Sequence, residues 1–103
     1  MTGGVRIRAG KPKDARAIHA MLAALADDLG CGARFASTEA TIRSHGFGPQ
    51  ARFSTLIAEA QTPVGLALYF PHFSTTRGQP GVFIQDLWCA PACRGQGIGA
   101  TLI

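Results

Sequence analysis

The sequence predicts an α/β fold of the α+β kind: a mixed, mostly antiparallel sheet flanked by helices, with elements in the order β-α-α-β-β-β-α. Three observations predict it. The run "VRIRAG", which alternates apolar and basic residues, is followed at once by a stretch whose apolar residues recur with the helical period. Two strand-like runs, "FSTLIAEA" and "PVGLALYF", are joined by "QT", the mark of a hairpin. A last apolar run, "VFIQDLWCA", passes through "PACRG" into the beginning of a helix, "GIGATLI". A chain of 103 residues accommodates one small domain, and 47% hydrophobic against 16% charged residues makes that domain globular, not disordered.

The elements follow in order. Val5, Ile7 and Ala9 form the inward side of a half-buried first strand. Pro12 suits a first helical turn and Asp14 complements the positive end of a helix dipole. Ile18, Met21, Leu22, Leu25 and Leu29 then lie on one face of a helix from about Pro12 to Leu29, closed by Gly30, with His19 off that stripe and facing solvent. Ser37 or Thr38 caps a short second helix carrying Ala40 and Ile42, which Gly46 ends. The hairpin comes next, then a polar turn, "STTRGQPG", and the fourth strand.

Charge and cysteines bound the function. The net charge of +4 permits a nucleic-acid partner without demanding one, and because the ten Lys and Arg residues never cluster a small polyanion fits equally well; no nucleic-acid partner is expected. No apolar run approaches the roughly 20 residues of a membrane span, and "MTGGVRIRAG" lacks the apolar core of a signal peptide. A cytoplasmic protein without a membrane partner is expected. Cys31, Cys89 and Cys93 are then free thiols. Cys89 and Cys93 with His45 or His72 do not have the usual zinc spacing, so no metal is expected and small packing residues is the better reading.

The chemistry concentrates in "CRGQGIGATLI". Gly95, Gly97 and Gly99 stand at alternate positions behind Arg94, at the opening of a helix. Backbone N–H groups at a helix N-terminus have no intrahelical partner and face the positive end of the dipole, so they bind phosphate readily. Glycines let the backbone approach the anion and form a nest of donors. A P-loop is excluded because no lysine follows Lys13. Gly95, Gly97 and Ala100 do match the dinucleotide fingerprint, yet that motif follows a first strand directly, whereas this one follows several strands and a connection containing Pro91. A glycine-rich turn that merely joins strand to helix is the remaining alternative.

"RGQGIGATLI", preceded by a strand ending in "LWCAP", resembles the R/Q-x-x-G-x-[GA] pyrophosphate loop of the GNAT superfamily of N-acetyltransferases. "GFGPQARFSTLIAE", "PVGLALYFPHFST" and "RGQPGVFIQDLWCAP" extend the likeness to the diamine/spermidine and thialysine acetyltransferase branch, from about Val5 to the end of the chain. The resemblance implies transfer of an acetyl group from acetyl-CoA, as cosubstrate, directly to a primary amine of a small molecule. It places Arg94, Gly95, Gln96, Gly97, Ile98, Gly99 and Ala100 around the CoA pyrophosphate. It also places the backbone of Leu87, Trp88 and Cys89 along the pantetheine arm, where an amide would polarise the thioester carbonyl.

Two departures from the family pattern stand out. The branch has "LED" where this chain has "IQD", so Gln85 replaces the glutamate commonly assigned as the base, and glutamine takes no proton. Gln85 would orient a water. Asp86 is the adjacent catalytic candidate, but strand alternation points it to the opposite face, where it is as much a structural hydrogen-bond acceptor as a catalyst. For a polyamine substrate, Asp27, Asp28 and Glu39 are candidate carboxylates, though a solvated surface explains the two aspartates as well; His72 and Arg77 flank the turn before the fourth strand. The second departure is the ending in mid-helix. Family members continue into a fifth strand, further elements and a tyrosine that protonates the leaving thiolate, a position that Tyr69 does not match. The chain is therefore expected to be the N-terminal portion, residues 1–103, of one acetyltransferase domain, or a half-domain completed as a homodimer through its exposed fourth strand. A catalytically impaired acyl-CoA-binding or interaction module is the alternative reading.

Overall fold

The computed structural model describes residues 5–30, 32–91 and 102. They form β1 (Arg6–Ala9), α1 (Ala15–Asp28), α2 (Glu39–His45), β2 (Ser54–Glu59), β3 (Pro63–Ser74) and β4 (Gln79–Cys89). The four strands lie side by side in chain order, every neighbouring pair antiparallel. This is the expected α/β class. Leu102 is helical, as expected of the segment entered through the glycine run, and the rest of that run lies outside the described residues.

The two faces of the sheet have different covers. On one face Ile57, Leu66 and Leu68 pack against Ile18, Met21 and Leu22 of α1 and Ile42 of α2. On the other, Ala58 and Ala67 pack against Leu102, flanked by Ile7, Leu56 and Val64. Alternation along β2 and β3 sorts these side chains, because successive residues of a strand point to opposite faces. Leu102 and the first two helices therefore cover opposite faces of the sheet.

Helix boundaries follow the local chemistry. Residues Pro12–Asp14 form a 3-10 turn, not the start of the continuous helix that the periodicity predicts, and α1 begins at Ala15. The cause is Asp14. Its buried carboxylate accepts Arg8 Nη1 at 2.8 Å, Arg8 Nη2 at 2.9 Å and the Lys11 amide at 2.8 Å, which fixes the entry turn to β1 before the helix is under way. Glu59 on β2 holds the same guanidinium through Nε at 2.9 Å. Gly30, at φ 74°, closes α1 as expected, because the left-handed region favours glycine. Thr38 caps α2 by accepting from the Thr41 amide at 3.0 Å, and Gly46 ends it.

Three further expectations need correction. Leu29 continues the helical stripe in sequence but is 69% exposed, since α1 ends at Asp28 and the chain turns away. His19 does not face solvent: it is half-buried, its Nε2 3.0 Å from the Ser37 carbonyl oxygen and its ring 5.5 Å from that of Phe35. Half of the polar run between β3 and β4 is strand. Only four residues turn, with Gly78 at φ 67° donating to the Ser74 carbonyl at 2.7 Å, and Gln79, Pro80 and Gly81 already pair with β3.

Candidate active site

The decisive local feature is a break in the β3–β4 register. Leu68 pairs with Asp86 and Tyr69 with Ile84, so Gln85 has no cross-strand partner and forms a β-bulge. A bulge sets two residues of one strand against a single residue of the other and suspends the alternation of side chains there. Gln85 and Asp86 consequently line the same cleft. The opposite orientation inferred for Asp86 from regular alternation is thus wrong, and the bulge is the physical reason.

The cleft has a volume of about 630 Å³ and lies between the helical layer and the exposed end of the sheet. Its apolar walls include Leu22 and Leu25 of α1, Phe35 from the connection to α2, Phe53 just before β2, and Phe70 of β3. Ser37, Thr41, Arg52, Gln85 and Asp86 supply polar atoms. Burial pushes the Asp86 carboxyl above the usual carboxylate range, and a hydrogen bond from Gln85 acts in the opposite direction. A half-buried carboxylate of raised basicity, beside an amide that orients a donor, is equipped to take a proton from an ammonium group.

The remaining sequence-predicted residues are distributed unevenly. Leu87 pairs with Ala67 and is exposed on the face away from the cleft; Trp88 returns to the helical face, where its Nε1 donates to Asp28 Oδ2 at 3.2 Å. Cys89 packs against the Ala58–Ala67 cluster. Arg94, Gly95, Gln96, Gly97, Ile98, Gly99 and Ala100 lie outside the described residues, as do Cys31 and Cys93. Neither Asp27, Asp28 nor Glu39 lines the cleft: Asp28 receives Trp88, and Glu39 pairs with Arg43 one helical turn on at 3.0 Å. His72 and Arg77 border a separate hollow at the hairpin tip. Sequence reasoning missed Arg52, Ser37, Thr41 and the aromatic wall. The phenylalanines were visible as apolar residues, but nothing in the spacing marks Arg52.

β4 is the last strand of the described sheet, so one of its edges has no strand beside it among the described residues. That edge runs past Leu87, Trp88 and Cys89.

Comparison with known proteins bears on the same region. The model of the acetyltransferase (GNAT) family matches residues 18–103. Thialysine N-epsilon-acetyltransferase of Mus musculus is 32% identical over 95% of this chain and 62% of its own length; that of Bos taurus is 32% identical over 96% and 63%. The chain thus spans less than two thirds of the curated relatives it matches. Among solved structures, an aminoglycoside acetyltransferase from an uncultured soil metagenomic sample, in complex with sisomicin, superposes with a TM-score of 0.75 at 16% identity, over 96% of this chain and 64% of that one. The ribosomal-protein-alanine N-acetyltransferase of Brucella melitensis biovar Abortus 2308 gives 0.73 at 19% identity, over 95% and 66%. These structural likenesses concern the fold.

Proposed function

This chain belongs to the GNAT family of acetyltransferases, and from that premise we propose that its protein transfers acetyl from acetyl-CoA to the primary amine of a small molecule. The relatives named for thialysine support an amine acceptor of that general kind. The observation that carries the reading is the bulge at Gln85, which turns Asp86 into a cleft of small-molecule size next to the edge of β4 that has no strand beside it among the described residues. Bound acetyl-CoA supplies the activated acetyl group. The backbone of Leu87, Trp88 and Cys89 holds its arm along the β4 edge, and Arg94 with the amides of Gln96 to Gly99 holds its pyrophosphate.

Within the cleft, the apolar walls exclude water and align the acceptor with that edge. Alignment of this kind removes as much as roughly 7–11 kcal/mol from a bimolecular barrier. Asp86 takes the proton that the ammonium must lose before it attacks, and Gln85 orients the amine or an intervening water. The proposal also includes homodimers, supported by Val82, 62% exposed on the edge strand, and by the exposed Phe73 and Phe83 beside it. Assay of the protein with acetyl-CoA against a panel of primary amines tests the reading. Transfer supports it; CoA binding without turnover of any amine would favour a binding module instead.

A further inference from the structure

We infer that His19, which does not itself line the cleft, is a positioning residue for the amine acceptor: it tethers the wall formed by Phe35 and Ser37. The inference deepens the acetyl-transfer reading of the cleft and rests on it. Phe35 and Ser37 both line the cleft. They belong to the connection between α1 and α2, whose described residues contain only a short 3-10 turn, Gly32–Arg34, and no strand or α-helix. Such a segment has no ladder of backbone bonds to hold it, so its place depends on the contacts that its side chains and carbonyls make. Half-buried Phe35 and Ser37 alternate with exposed Ala36, which turns both inward.

His19 supplies two of those contacts. Its Nε2 lies 3.0 Å from the Ser37 carbonyl oxygen, and its ring centroid is 5.5 Å from that of Phe35, with the planes tilted by 40°. A carbonyl oxygen only accepts, so Nε2 carries the proton and donates it to the bond. The place of His19 on α1 makes both contacts possible. It precedes Leu22 by one helical turn and Ala26 by two, on the same flank of the helix as these lining side chains. Phe35 therefore rests on the imidazole while it lines the cleft. Earlier in the connection, Gly32 lies against the Asp27 carboxylate, so close that a Cβ would meet it. That contact holds the start of the segment, and His19 holds the part that reaches the acceptor.

Replacements at position 19 separate the two contacts. His19→Phe keeps a ring against Phe35 and loses the donor. His19→Gln carries an amide Nε2 that reaches as far from the backbone as the imidazole Nε2, whereas the His19→Asn amide is too short. Steady-state kinetics with acetyl-CoA, and with lysine and 1,5-diaminopentane as amine probes, should show KM for the amine raised by about 3–10-fold in His19→Phe and His19→Asn, the scale of one hydrogen bond. KM for acetyl-CoA should not change, and His19→Gln should stay close to wild type. A merely structural role would lower the amount of active protein, and so the apparent kcat, without moving the amine KM. An amine KM unchanged in His19→Phe and His19→Asn, or raised as much in His19→Gln, would overturn the inference and leave acetyl transfer standing. Amide hydrogen exchange of residues 35–38 tests the tether without turnover: exchange should quicken in His19→Phe and return in His19→Gln, and exchange insensitive to position 19 would overturn the inference. If the wild type acetylates neither probe, acetyl transfer to such amines fails, and the exchange result alone decides the tether.

Discussion

Gln85 and Asp86 are adjacent in sequence yet present their side chains to the same cleft, because Gln85 is the unpaired residue of a bulge opposite Leu68. One consequence is energetic. Asp86 is held above the ordinary carboxylate range by burial, so the folded protein keeps its proton at pH values where the unfolded chain has lost it. Stability contributed by this group is greatest below the unfolded value of about 3.9 and falls as pH rises through the folded one. Asp86→Asn is therefore expected to raise the melting temperature at pH 7. The gain should vanish below about pH 4, where both side chains are neutral; thermal melts across pH check both parts.

The opposite sign applies to Asp14. Hydrogen bonds from Arg8, reinforced by the Lys11 amide, hold its carboxyl below the usual range against the effect of burial. Its stabilisation is present above pH 4 or so and is lost as pH falls through the depressed folded value. Arg8→Met should cost about 2–3 kcal/mol at neutral pH by leaving a buried carboxylate without its main partner. Urea denaturation at pH 7 and at acid pH should show a penalty that shrinks as Asp14 is protonated.

Gly10 sits over Thr55, and a Cβ there would run into Thr55 Oγ1. That hydroxyl is buried without a hydrogen-bond partner among the described residues, so Thr55→Ala removes little that is useful. Gly10→Ala alone is expected to destabilise by about 1–3 kcal/mol, and Thr55→Ala to restore much of the loss. Additive effects in the double-mutant cycle would show that the contact is not the cause.

Much of the fold was legible because its signals are local. The stripe Ile18–Met21–Leu22, the Thr38 cap with the Gly46 stop, and the short hairpin connection each depend on residues close in sequence. The site was less so. "FIQDLW" reads as regular alternation, since no glycine marks the bulge, and the misplacement of Asp86 followed from that. His19 looked solvent-facing because its partners, Ser37 and Phe35, come from a connection whose path helical periodicity does not describe. Arg52 is a lone basic residue in a loop, and only the assembled cleft shows it among the lining residues.

The glycine run is expected to bind the CoA pyrophosphate. Gly97→Glu, which adds bulk and negative charge to an anion nest, should abolish CoA binding in calorimetric titration. Unchanged affinity would remove the phosphate role from this segment.

The most direct measurement is the pH dependence of kcat for amine acetylation by the wild type and by Asp86→Asn. With Asp86 as base, the wild-type rate falls on the acid side as the carboxyl is protonated, at a pH above the usual carboxylate range. Asp86→Asn should remove that limb and lower kcat by about 10²–10⁴-fold, the range of general-base catalysis, with CoA affinity unchanged. An Asp86→Asn variant that retains both the wild-type rate and its acid limb would contradict the assignment of Asp86 as the base.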